Sequence, residues 1–241
     1  LCQVSLRNIS IGDITEKVVV SIGGSILIPG RNDGKYIGEL AALLKELSSE
    51  VHISVVCGGG KTARYYAQTG SEVGGTMYQQ DLFGISATRM NAGLLDLALG
   101  YGNYPDIPET VEEAASRCEE GGIVVMGGTE PGHTTDGVAS MLAKELKADR
   151  IVNATSVDAV YSDDPRTVPG AERYSEITIN RLEELVYGEH GASKSGIFDP
   201  LGVEIAKNHK IDIFMVHGRD LKDLRSAILG RGIKGTVVRS H

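Results

Sequence analysis

Three times in this chain an apolar, largely β-branched run ends in glycines and hands over to a helical pattern. The runs are Val18-Val19-Val20-Ser21-Ile22 into Gly23-Gly24-Ser25, Ile53-Ser54-Val55-Val56-Cys57 into Gly58-Gly59-Gly60-Lys61, and Ile123-Val124-Val125-Met126 into Gly127-Gly128-Thr129. The last continues through Pro131-Gly132-His133-Thr134-Thr135-Asp136. Strands read as unbroken apolar runs when both faces are buried, so strands alternating with helices imply a mainly parallel sheet covered on both sides. Glycine at a strand's carboxyl end lets the backbone approach a ligand, and the following helix adds unpaired N–H groups and the positive end of its dipole. Each junction can hold an anion, and three of them imply more than one phosphate.

At 241 residues and 41% hydrophobic, the chain can bury a sizeable core in one domain or two lobes. The net charge of −8, with no long basic run, directs phosphate recognition to a small molecule and excludes nucleic acid or an anionic membrane surface as partner. Cys2, Cys57 and Cys118 are odd in number and lack metal-ligand spacing, as suits buried thiols in a reducing cytoplasm. No apolar stretch reaches 18 residues, and residues 1 to 16 lack a signal peptide's apolar core. With Leu rather than Met at position 1, the natural start stays open.

Periodicity predicts a helix after Asp33-Gly34, a short one over Lys61 to Gln68, a longer one over Gln79 to Leu99 and another between Thr110 and Gly121. Beyond the third junction, Val138, Met141, Leu142 and Leu146 mark an amphipathic helix, and Arg150 to Ala154 a strand. The Asp-, Pro- and Gly-rich segment Ser156 to Ser175 reads as a hairpin or loop excursion. Helices follow near Arg181 to Tyr187, Asp199 to Asn208 and Leu221 to Leu229, with strands near Ile211 to Val216 and Thr236 to Val238. The expected organisation is an extension over residues 1–16 and one domain over 17–241, its lobes meeting near residue 126.

Two familiar phosphate motifs almost fit the second junction. Gly60-Lys61-Thr62 supplies the end of a P-loop, but Val55 stands where its opening glycine belongs. Gly58-x-Gly60-x-x-Ala63 meets a loose dinucleotide fingerprint, yet Arg64 to Gln80 contains no apolar strand to present the acid Asp81.

The order of motifs carries a resemblance instead. Gly23-Gly24-Ser25, then Gly58 to Arg64, then Asp81 with Gly84-Ile85-Ser86-Ala87-Thr88-Arg89-Met90-Asn91-Ala92, resembles the amino acid kinase superfamily. Gly127 to Asp136, Thr155 to Pro165 and Phe198-Asp199-Pro200 are similar to its archaeal uridylate kinase type. The resemblance implies a three-layer αβα sandwich that transfers the γ-phosphoryl of ATP to UMP. Mg²⁺ is carried in with ATP and no dedicated metal site is expected; the implied assembly is a cytoplasmic homohexamer.

The resemblance places Gly24 and Ser25 at the transferring phosphates, and Gly59 and Gly60 where donor and acceptor phosphates meet. Arg64 returns a guanidinium to them from one helical turn on; the alternative is a solvated helix charge. Lys61 is a second candidate cation. Asp81 is implied at the acceptor ribose, or is a helix N-terminal acid. Thr129, Glu130, Pro131, Gly132, His133, Thr134 and Thr135 form the implied acceptor loop, with Thr134 and Thr135 also suited to cap the next helix. His133 is a loop histidine or a general base. Thr155, Ser156, Tyr161 and Asp164 are implied around the ATP nucleoside, although Asp163-Asp164-Pro165 also suits a plain turn. Asp199 is implied as an acid organising the centre, or as a helix N-cap before Pro200.

The chain departs from the pattern at three points. Ser21 stands where many superfamily members carry a first-strand lysine, so that cation is not carried over; Ala159 replaces a glycine and Ser156 an asparagine. Two other readings share the motifs: a kinase of the same superfamily acting on a carboxylate, carbamate or isopentenyl phosphate, and a non-catalytic nucleotide- or oxyanion-binding storage or regulatory protein.

Overall fold

The structure, a computed structural model, describes residues 16–165, 167–187 and 197–241. Cys2 and nearly all of the expected N-terminal extension lie outside the described residues. In chain order the elements are β1 (Lys17–Ile22), α1 (Gly24–Leu27), α2 (Asp33–Leu47), β2 (His52–Cys57), α3 (Gly60–Glu72) and α4 (Met77–Leu99). There follow α5 (Val111–Glu119), β3 (Val124–Met126), α6 (Thr135–Leu146), β4 (Arg150–Thr155), β5 (Val160–Tyr161) and β6 (Arg173–Tyr174). The chain closes with β7 (Glu176–Thr178), α7 (Ile179–Tyr187), α8 (Pro200–His209), β8 (Asp212–His217), α9 (Leu221–Ile228) and β9 (Thr236–Arg239).

Seven strands form one sheet in the order β3-β2-β1-β4-β8-β9-β7, parallel from β3 to β8, with β9 antiparallel to β8 and β7 parallel to β9. Alternation along β1 divides the core: Val18, Val20 and Ile22 pack with α2, α4 and α9, while Val19 packs with α5, α6, α7 and α8. Both faces are covered, so the fold is the three-layer αβα sandwich that the apolar runs required. β5 and β6 make the expected hairpin outside this sheet.

The strand order fixes where a ligand can sit. From β1 the chain moves outward to β2 and β3, then returns to add β4 on the other side of β1. At such a reversal the connections diverge and leave a crevice beyond the carboxyl ends of the strands. All three glycine junctions open onto that edge.

The differences from the sequence reading are local. α1 has four residues, too few to show a periodicity, and β7 has three at the sheet's edge. α3 runs to Glu72, beyond the expected Gln68. α4 begins at Met77 rather than Gln79 because Thr76 and Gln79 form a reciprocal capping box.

Candidate functional site

The β1 and β2 turns are in backbone contact, and glycine is what permits it. A Cβ on Gly24 would lie 2.1 Å from the Gly60 nitrogen and 2.5 Å from the Gly58 oxygen, and one on Gly60 would lie 2.4 Å from the Gly24 carbonyl carbon. Gly60 also holds φ at +61°, in the left-handed region. Gly59 is buried against Ala63 and Thr88. Over this contact Arg64 Nη2 donates to Ser25 Oγ at 3.0 Å, so the structure brings Arg64, Ser25, Gly24 and Gly60 together. Lys61 turns aside, donating to the Pro29 carbonyl at 3.3 Å.

The loop after β3 reaches the same edge. Asp81 lies inside α4, whose N-cap is Thr76, so its carboxylate is not the cap; it accepts from the Gly132 N–H at 3.0 Å and pins the loop. Arg89 donates to the Gly128 and Thr129 carbonyls, and Thr88 Oγ1 accepts from the Gly128 N–H at 2.6 Å. Asn91 Nδ2 donates to the Gly58 carbonyl at 2.7 Å. Thr134 caps α6 through the Gly137 N–H, and Thr135 Oγ1 approaches Gly58. Glu130 and Gly132 are exposed, Pro131 half-buried.

Thr129 Oγ1 and His133 Nδ1 are enclosed without a hydrogen-bond partner, the latter 3.6 Å from Glu130 Oε1. A buried polar atom left unsatisfied costs about 1–3 kcal/mol. Two in one loop mark where a polar ligand would restore what folding removed.

At the α6 N-terminus, Asp136 faces the place of the missing lysine. Ser21 Oγ donates to Asp136 Oδ1 at 2.8 Å, Asn153 Nδ2 lies 3.4 Å from Oδ2, and Thr134 Oγ1 donates to Asp199 Oδ2 nearby. Burial, opposed by the Ser21 and Asn153 hydrogen bonds and reinforced by the Asp199 charge, pushes the Asp136 carboxyl from 3.8 up to about 6. Asp199 also caps α8, accepting from the Leu201 and Gly202 N–H groups, so its structural and site positions coincide.

The shift carries a signed prediction. A carboxyl raised from 3.8 to about 6 binds its proton more tightly in the folded chain, so its contribution is whole below about pH 4 and is lost as pH rises through about 6. Asp136→Asn cannot ionise, so its Tm relative to the parent should be higher at about pH 8 than at about pH 4. Thermal melts at the two pH values check this; a difference independent of pH would contradict the shift.

Thr155 ends β4 beside His217, and its carbonyl accepts from the Gly218 N–H at 2.8 Å. Ser156 is exposed just beyond. Tyr161 lies in the β5–β6 hairpin, its hydroxyl donating to Asp158 Oδ1 at 3.0 Å, and Arg173 grips the other Asp158 oxygen. The exposed Asp164 accepts from the Thr167 and Val168 N–H groups through its own carbonyl. The carboxyl end of β4 adjoins the β1 turn, where the Gly23 N–H donates to the Ala154 carbonyl at 3.0 Å.

Four polar residues around the turns went without a role in the sequence reading: Thr88, Arg89, Asn91 and Asp136. The first three stand in an otherwise apolar stretch of α4, a pattern that could have marked them. Asp136 was legible only as the first acid of a helix. Among the described residues no group of three or more His, Cys, Asp or Glu side chains comes together as a metal cage would need. Among them no helix is long and apolar enough to cross a membrane.

Residues 16–217 match the amino acid kinase family. The chain is 42% identical over 218 residues to the uridylate kinase of Methanococcoides burtonii, covering 90% of this chain and 93% of that protein. It is 40% identical to that of Methanobrevibacter smithii, covering 92% and 99%. The crystal structure of uridylate kinase from Archaeoglobus fulgidus superimposes with a TM-score of 0.81 at 36% identity, over 92% of this chain and 99% of that one. A UMP kinase from Bacillus anthracis, at 19% identity and a TM-score of 0.76, shares the fold.

Proposed function

The chain belongs to the amino acid kinase family, and from that premise we propose that it transfers the γ-phosphoryl group of MgATP to UMP, giving UDP and ADP. The observation that carries this reading is the Arg64 guanidinium hydrogen-bonded to Ser25 where the β1 and β2 turns touch. Phosphoryl transfer asks a protein for alignment and for neutralisation of developing charge rather than for covalent chemistry. The Gly24, Ser25 and Gly60 N–H groups hold the transferring phosphoryl, and Arg64 supplies a forked cation to its oxygens. Mg²⁺, carried with ATP rather than by a protein site, would supply further charge neutralisation.

The acceptor occupies the side bounded by Gly59, Asp81 and the loop from Thr129 to Thr135, where Thr129 Oγ1 and His133 Nδ1 gain partners. Donor nucleoside contacts fall to Thr155, Ser156, Tyr161 and Asp164; of the two lobes, the one over about 17–125 carries Gly59 and Asp81 for the acceptor, and the donor lobe over about 126–241 also lends the acceptor its loop Thr129 to Thr135. Asp136 and Asp199 are organising acids at their meeting. Lys61 is left with a peripheral charge. The reaction takes place in the cytoplasm, on small-molecule substrates. ADP release from MgATP, compared across acceptors, tests the activity.

If the Asp81 carboxylate accepts from a ribose hydroxyl, UMP is preferred to dUMP because the deoxy analogue leaves an acceptor unpaired. Asp81→Ala should reduce UMP turnover and bring the UMP to dUMP ratio of kcat/KM towards unity. A ratio unchanged in the folded variant would remove Asp81 from contact with the 2′-hydroxyl.

Association between copies, which the implied homohexamer needs, has support on the surface. Tyr78, Leu82, Met90, Leu94, Leu97 and Tyr101 are all exposed at helical spacing along α4 and its end, Leu97 at 64%, although α4 also buries Ile85, Ala92, Leu95 and Leu99. A helix apolar on both sides belongs inside an assembly. We assign this face to a contact between copies. Light scattering at micromolar protein should give a particle larger than one chain; a monomer would contradict the assignment.

A further inference from the structure

A helix of one turn has little stability of its own, because nucleation costs more backbone order than one hydrogen bond returns. α1 has four residues and includes Gly24 and Ser25, so something else must hold it. The Gly24–Gly60 contact braces one side. The opposite side is braced by residues far away in sequence.

Tyr36, buried in α2, donates its hydroxyl to the Gly218 carbonyl at 2.7 Å. The Arg219 guanidinium lies 4.4 Å from the centre of the Tyr36 ring, and its Nη2 donates to the Ile26 carbonyl, near the end of α1, at 2.9 Å. A Cβ on Gly218 would fall 2.7 Å from Ile26 Cγ2, so the β8–α9 turn packs directly on α1. The same turn is tied to the donor edge, since the Gly218 N–H donates to the Thr155 carbonyl and the Gly23 N–H to the Ala154 carbonyl. α1 and the end of β4 thus share one rigid support.

We propose that Tyr36 and Arg219 are positioning residues: they clamp α1 onto the β8–α9 turn and so set the Gly24 and Ser25 N–H groups relative to the donor nucleoside edge at Thr155. This deepens the kinase reading and rests on it for what Gly24 and Ser25 do. A displacement of about 1 Å in groups that align a reaction can cost about 10²-fold in rate, so a loosened α1 should be felt first in kcat.

The experiment compares Arg219→Ala, Arg219→Lys and Tyr36→Phe with the parent, well below each melting temperature. Arg219→Ala should lower kcat by about tenfold or more while the KM for UMP stays within about twofold. Lysine keeps the charge but not the planar fork, so it should restore little. Amide exchange supplies a readout independent of turnover: Ile26, Leu27 and Ile28 donate to the Gly23 and Gly24 carbonyls, and their protection should fall by about tenfold in Arg219→Ala, with β1 and β4 unchanged. Tyr36→Phe keeps the ring and should show the same pattern more weakly. The double variant should lose less than the product of the single losses, since both act through one unit. Unchanged exchange at residues 26–28, or kcat within about twofold of the parent in folded Arg219→Ala, overturns the inference. A parent with no UMP turnover would contradict the kinase reading while leaving the exchange result to decide the clamp.

Discussion

Arg64→Ala is expected to lower kcat/KM for UMP phosphorylation by about 10² or more, equivalent to about 3 kcal/mol of transition-state stabilisation. Arg64 is exposed in the first turns of α3, and among the described residues its guanidinium hydrogen-bonds the Ser25 hydroxyl. Losing that contact costs the fold little, and alanine is the best helix former, so the melting temperature should barely move. The loss should fall on kcat as well as on KM, because charge on the transferring phosphoryl oxygens is spread and loosely held only at the transition state. Arg64→Lys should recover part of the rate, keeping the charge without the fork. Kinetics near those of the parent would assign Arg64 to the solvated surface.

The second large effect belongs to Gly24→Ala. The added Cβ would sit 2.1 Å from one backbone nitrogen and 2.5 Å from a backbone oxygen, neither of which can swing away as a side chain could. The turns must separate, with a loss of stability of about 1–3 kcal/mol, typical of overpacking. The separation moves Ser25 away from Arg64 and should lower kcat/KM by a further order beyond what stability explains, at least about 10² in all. Gly38→Ala is the matched control. Gly38 is exposed in the middle of α2 with nothing within 4 Å of its would-be Cβ, so this variant should gain up to about 1 kcal/mol and keep full activity. Equal behaviour of the two variants in melts and kinetics would remove the argument from close packing.

Much of the layout could be read from the sequence because the physics involved is local. Apolar runs such as Val18 to Ile22 specify buried parallel strands, Thr110 and Thr134 announce the helices they cap, and consecutive glycines mark where the backbone must come close. Asp199 was legible as an N-cap and is one. What stayed hidden is what the chain assembles across long separations. Nothing near Asp136 tells that Ser21, 115 positions earlier, donates to it. Nothing near Arg219 tells that its guanidinium reaches Ile26, 193 positions away. Lys61 stood behind Arg64 as a second candidate cation, and the two diverge because Lys61 finds the Pro29 carbonyl. α1 escaped notice because four residues make no pattern, although it carries the two residues on which the phosphate argument rests.

The crevice between β1 and β4 is assigned here to phosphoryl transfer to a pyrimidine nucleotide. That assignment is tested most directly by giving the purified protein MgATP with UMP, CMP, acetylglutamate, carbamate or isopentenyl phosphate in turn, and following ADP and the phosphorylated product. UDP should form, and UMP should have the highest kcat/KM of the set. A non-nucleotide acceptor turned over as well as UMP, or binding of ATP and UMP with no product from either, would contradict it.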